Sequence, residues 1–140
     1  MTVSTSVVLA EDNAFVRKGI RRLLDIAQNI KVVGEAGDGA EAIRLVKELA
    51  PDVLLLDVEL PRINGIEVAR QVSRLTKKTH VLVLSAYDDP EYIQSMLGIG
   101  VAGYLIKDEA PHRIVQAILG VAQGQVGWIS PQVQRKIKRG

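Results

Sequence analysis

The chain contains no cysteine. That excludes disulfide scaffolds, thiol catalysis and cysteine-based zinc sites, and it fits a reducing compartment such as the cytoplasm. Aromatic residues are scarce, with one Trp, three Tyr and one Phe among 140 residues, so a core must be built from aliphatic side chains. No apolar run approaches the roughly 20 residues of a membrane span. No basic region followed by a long apolar stretch is visible near Met1. Neither sign of charge dominates: 18 Lys and Arg face 16 Asp and Glu, a formal +2. A slightly basic chain invites a nucleic-acid reading, but the excess is local. Gln132–Gly140 holds Arg135, Lys136, Lys138 and Arg139 and no acid, which leaves residues 1–131 at −2.

What is present is an aliphatic chain, 47% hydrophobic, arranged as short runs alternating with helical patterns. The runs are Ser6–Ala10, Lys31–Ala36, Val53–Leu56, His80–Leu84 and Ala102–Ile106. Nearly continuous apolar runs are expected of strands covered on both faces. Between them, Val16, Ile20, Leu23, Leu24 and Ala27 follow one helical stripe, and Ile114, Ala117, Ile118 and Val121 follow another. Asp38 is placed as an N-cap with Glu41 three residues later, and Pro111 suits a first helical turn. Five strand–helix repeats predict an α/β, doubly wound five-stranded parallel sheet, one domain over residues 1–124. Residues 125–140 break the pattern at Gly124 and Gly127 and are expected to be a linker or a short basic helix, with Ser130 as cap and Pro131 as first residue.

Sites in open parallel sheets form beyond the carboxyl ends of the strands. Glu11 and Asp12 follow the first run, Asp57 the third, Ser85 and Ala86 the fourth, and Lys107 the fifth. Each has a plain alternative role: Asp12 and Ser85 as helix caps, Asp57 as a turn former, Lys107 as a partner of any of these acids. Together they are a matched set. Crowded carboxylates repel unless a cation joins them, and Mg2+ suits a few carboxylates plus waters. A carboxylate can act as a nucleophile toward phosphorus, while an ammonium and a hydroxyl can hold phosphoryl oxygens.

The segments Val7–Asn13 (VVLAEDN), Asp52–Glu67 (DVLLLDVELPRINGIE), Val81–Asp89 (VLVLSAYDD) and Gly103–Asp108 (GYLIKD) resemble the receiver domain of bacterial two-component response regulators. The wording is most similar to the NarL/FixJ (LuxR-type) subfamily. The resemblance covers about residues 5–124. It implies a flavodoxin-like (βα)5 fold with strand order 2-1-3-4-5. It implies Asp57 as phosphoacceptor, Asp12 as a direct Mg2+ ligand (Mn2+ being an alternative ion), Glu11 acting mainly through water, and the Glu59 carbonyl completing the protein ligands. Ser85 and Lys107 would hold phosphoryl oxygens. Tyr104 falls at the family's aromatic switch position, expected to turn inward behind small Ala86 on phosphorylation, and Glu59 and Tyr87 are candidates for tuning phosphate lifetime. Two departures stand out: Glu11-Asp12 replaces an Asp-Asp pair, and Asp108 stands where many receivers have proline after the lysine, a place where a cis bond is costly without proline.

The implied partners are a sensor histidine kinase, a second copy in a phosphorylation-dependent homodimer, and DNA through a C-terminal helix-turn-helix domain that this chain does not contain. The chain is therefore expected to be a fragment, with a stand-alone receiver acting by protein contact or phosphorelay as the alternative. No membrane partner and no turnover enzyme are expected. A haloacid dehalogenase-like phosphohydrolase also uses an aspartate and Mg2+, but needs Asp-x-Asp after its first strand. A dinucleotide site is weaker still, because Gly34, Gly37 and Gly39 have the wrong spacing. His80 and His112 are expected to be structural or solvated, and Trp128 to pack the tail onto the last helix or to mark a contact surface.

Overall fold

The computed structural model describes residues 4–86, 89–109 and 111–139, with side chains described as far as Arg135. Strands and helices alternate: β1 (Thr5–Ala10), α1 (Ala14–Ile26), β2 (Ile30–Ala36), α2 (Gly39–Leu49), β3 (Val53–Leu56), α3 (Gly65–Leu75), β4 (His80–Ser85), α4 (Pro90–Ile99), β5 (Gly103–Ile106), α5 (Pro111–Ala122), β6 (Trp128–Ile129) and α6 (Pro131–Arg139). The five apolar runs of the sequence are β1 to β5, each within a residue or so of its expected end. Every pairing is parallel and the order is β2-β1-β3-β4-β5-β6. The expected order 2-1-3-4-5 is present, extended by a sixth strand. Two residues between a glycine and a serine carry too little periodicity to be read as a strand; β6 exists because the open edge of β5 offers it a partner.

The alternation of side chains along each strand divides the core into two. On one face, Val8, Ala10, Leu54, Leu56, Val83, Tyr104 and Ile106 pack with buried residues of α2, α3 and α4 and with Val133 of α6. On the other, Val7, Leu9, Val53, Leu55, Leu82, Leu84 and Leu105 pack with Leu24 of α1 and with Ile114, Ala117, Ile118 and Val121 of α5. β3 is buried along its whole length, as a central parallel strand requires. Below the sheet, Asp52 Oδ2 accepts from Ser6 N at 2.9 Å and Ser6 Oγ at 3.1 Å, while Asp52 N donates to Ser6 Oγ at 2.9 Å. This clasp sets the register of β1 against β3.

Capping decides which polar residues remain for the site. Asn13 caps α1, accepting from Phe15 N and Val16 N. Asp89 caps α4 by accepting from Glu91 N. Neither Asp12 nor Ser85 is therefore used as a cap, and Asp38 caps α2 with Glu41 N as donor at 2.8 Å, as expected. Gly65 opens α3 directly against the β3 exit: a Cβ there would lie 2.6 Å from Asp57 O and from Val58 Cα. The glycine lets α3 begin beside Asp57 instead of pushing it away.

After α5 the chain forms β6 and then α6, which Pro131 opens, and both pack onto the body. β6 pairs with β5, Val133 and Ser130 are buried, and Trp128 lies over α5, where a Cβ on Gly120 would sit 2.7 Å from the indole nitrogen.

Candidate functional site

Parallel strands in register deliver their next residues to one edge. Ala10 faces Leu56 across β1–β3, Asp57 N donates to Ala10 O at 3.1 Å, and Lys107 N donates to Ser85 O at 2.8 Å. Glu11, Asp12, Asp57, Ser85 and Lys107 accordingly converge at the carboxyl end of the sheet, as the chain order predicts. Glu11 is 2% exposed, Asp57 5% and Ser85 fully buried, while Asp12 is exposed.

Lys107 is the centre of this group. Its Nζ lies 3.0 Å from Asp57 Oδ2 and 2.5 Å from Glu11 Oε1. The contact with Glu11 Oε1 is an ion pair without hydrogen-bond geometry, so that buried oxygen has no hydrogen-bond donor. Glu11 Oε2 accepts from Asn13 N at 3.1 Å, and Asp57 Oδ1 accepts from Glu59 N at 3.2 Å. Burial raises the Glu11 carboxyl above its ordinary range; the Lys107 contact opposes that and the Asp57 charge adds to it. For Lys107 burial pulls downward, but the close carboxylates of Glu11 and Asp57 together outweigh it and raise the ammonium. Lys107 is thus held protonated.

The group fits a small divalent cation. Glu11, Asp12 and Asp57 each offer a carboxylate oxygen, and these lie within 4.8 Å of one another. An acceptor-only buried oxygen on Glu11 and an exposed Asp12 suit a hard ion that keeps several waters. Beside them a cleft of about 350 Å3 is lined by Asp12, Glu59, Pro61, Asn64 and Tyr92, among others, room for a phosphate-sized group. The backbone that carries the acids is braced. Arg17 of α1 donates to Glu11 O at 2.7 Å and pairs with Glu35 of β2 at 3.3 Å, and Arg21 reaches the same carboxylate at 2.8 Å. The sequence reading passed over Arg17; its signal is a cation one turn into the helix that follows the acidic pair.

Two expected residues remain to be placed. Tyr104 is fully buried; it lies in the same cluster as Val133 and Ile129 and its strand position pairs with Ile129. The C-terminal segment encloses its strand. Tyr87 lies outside the described residues. No described peptide is cis, so the Lys107–Asp108 bond is trans. No described helix is long and apolar enough to cross a membrane.

Fold and site together define an α/β protein with an acidic, lysine-bridged edge at which a carboxylate can meet a phosphoryl group. A model of the response regulator receiver domain matches residues 7–119, and the chain belongs to that family. It is 39% identical over 119 residues to YxjL of Bacillus subtilis, described as an uncharacterized transcriptional regulatory protein, covering 85% of this chain and 55% of that one. It superimposes with a TM-score of 0.85 on the signal receiver domain of NarL from Mycobacterium tuberculosis, 40% identical, covering 88% of this chain and 99% of that one. A LuxR-family two-component response regulator from Aurantimonas sp. SI85-9A1 gives a TM-score of 0.90 at 29% identity, covering 97% and 96%. The chain spans 55% to 63% of the length of the curated relatives it matches.

Proposed function

We propose that this chain is a phosphorylation-activated signalling switch that controls a transcriptional output. Residues 1–124 are the phosphoacceptor unit and 125–140 its C-terminal appendage. A sensor histidine kinase in the cytoplasm presents a phosphohistidine; an Asp57 carboxylate oxygen attacks phosphorus, the P–N bond breaks and the imidazole leaves. Asp12, Asp57 and the Glu59 carbonyl, with Glu11 through water, would hold Mg2+ or Mn2+, which neutralises phosphoryl charge and aligns the attack. Lys107 and Ser85 receive the phosphoryl oxygens, and Glu59 and Tyr87 flank the path of a hydrolysing water. The switch acts on its own phosphoryl group and turns over no external substrate. Output runs through a homodimer and a DNA-binding helix-turn-helix elsewhere in the whole protein.

The observation that carries this reading is Lys107 Nζ poised between Asp57 and Glu11, with Asp12 alongside. Three strand ends supply one nucleophile, one cation and a cation-binding set, and a fourth supplies Ser85. Acetyl phosphate with Mg2+ is expected to place acid-labile, base-sensitive phosphate on the chain, one per molecule, and Asp57→Asn to abolish it. Undiminished labelling of the variant would remove Asp57 as acceptor. Steady multiple turnover of phosphate esters would instead favour a phosphohydrolase.

A further inference from the structure

The C-terminal segment is fastened to the turn that follows Lys107. Ser130 Oγ accepts from Ile106 N at 3.1 Å and donates to Glu109 Oε2 at 2.5 Å. Ser130 N donates to Tyr104 O at 3.2 Å, and Gly127 N and Trp128 N donate to Ala102 O at 2.9 and 3.2 Å. Glu109 N in turn donates to Ile106 O at 2.9 Å, and the Glu109 carboxylate is held from the other side by Arg113 at 2.7 Å. One buried serine hydroxyl therefore senses both the last residue of β5 and the second residue after Lys107. Around it, β6 closes the β5 edge, and Val133 of α6 enters the cluster that contains Tyr104, Met96 and Ile106.

We propose that β6–α6 is a latch over the β5 edge and α4, clasped by Ser130, and that phosphorylation of Asp57 opens it through the Lys107–Glu109 turn. The proposal rests on Asp57 being the phosphoacceptor. Phosphorylation adds charge and three acceptor oxygens where Lys107 now touches two carboxylates. Following those oxygens moves Lys107, and Glu109 lies two residues further along the same turn. A shift there takes the Glu109 acceptor from the hydroxyl of Ser130, a residue 1% exposed, leaving a buried donor unsatisfied. Besides the clasp, backbone hydrogen bonds to Ala102 and Tyr104 and the burial of Val133 hold the latch, but a two-residue strand and nine helical residues are too short to persist without docking. Opening bares the β5 edge and the apolar surface around Tyr104, and so couples the site to a surface more than a side chain away.

The test uses the whole chain and its single tryptophan, which lies in the latch. Amide hydrogen exchange and Trp128 fluorescence are followed with Mg2+, before and after acetyl phosphate, with Asp57 labelling measured on the same sample. Exchange at Gly127, Trp128, Ser130 and Ile106 is expected to quicken at least tenfold on phosphorylation, while β1 and β3 stay protected. Labelling with unchanged exchange overturns the latch alone; absence of labelling overturns the phosphoacceptor reading and the latch with it. Ser130→Ala is expected to exchange quickly at Gly127 and Trp128 without phosphodonor yet still label Asp57. Glu109→Gln is expected to move the same way, less far. Parent-like exchange in both variants would remove Ser130 as the clasp and refute the mechanism.

Discussion

Replacing Lys107 with methionine keeps the stem and deletes the charge that joins Glu11 to Asp57. Both acids are almost fully buried, and Lys107 supplies the close cation to Glu11 Oε1 and Asp57 Oδ2. Breaking a buried ion pair by removing one partner costs roughly 3–5 kcal/mol. Lys107 is itself a quarter exposed, which lowers that figure. A ceiling comes from protonation: neutralising a carboxyl of ordinary value at pH 7 costs about 3.7 kcal/mol, at about 1.4 kcal/mol per pH unit. The expected loss is therefore about 2–3 kcal/mol at pH 7 in metal-free buffer, or a fall in Tm of roughly 8 °C. At pH 5 the ceiling drops to about 1 kcal/mol, so the loss should shrink with it. The sign follows from linkage. A carboxyl whose value is raised in the folded state binds its proton more tightly there, so stability falls as pH rises from its ordinary value through the raised one. Burial already raises Glu11 in the parent, and the variant deepens the effect. Mg2+ should restore more stability to the variant than to the parent, up to about 2.7 kcal/mol at a hundredfold excess over Kd. Urea unfolding at pH 5 and 7, with EDTA or Mg2+, measures all of this. A loss under about 1 kcal/mol, equal at both pH values, would refute the claim that Lys107 neutralises the two acids.

Arg17→Ala removes a charged donor from Glu11 O and a partner from Glu35. It should cost about 1.5 kcal/mol and weaken Mg2+ binding several-fold in a fluorescence or calorimetric titration; unchanged affinity would leave Arg17 with a purely structural role. Gly65→Ala forces a Cβ against the backbone of Asp57 and Val58, so a loss of about 1–3 kcal/mol is expected, together with slower acetyl phosphate labelling. Arg44→Ala deletes exposed pairs with Glu41 and Glu48 and should change unfolding free energy by less than about 0.5 kcal/mol.

Much of this was legible from the chain alone because parallel sheets impose simple rules. Apolar runs such as Val53–Leu56 must be strands when both faces are covered, and a residue following such a run must lie at the carboxyl edge. That logic places Glu11, Asp57, Ser85 and Lys107 without coordinates. It fails where information is non-local. Which acid Lys107 touches depends on side-chain reach across β1, β3 and β5. Asn13 and Asp89, not Asp12 and Ser85, cap their helices, and neighbouring polar residues are equivalent in sequence. Arg17 was missed because its contacts lie six and eighteen residues away.

The C-terminal segment marks the boundary most clearly. Composition located a +4 tail, and Ser130-Pro131 marked the start of its helix, both being local properties. That the tail closes the edge of β5 and buries Val133 in the cluster that holds Tyr104 was decided by tertiary packing. A two-residue strand has no periodicity of its own; it forms only where a paired strand and an apolar face are already waiting for it.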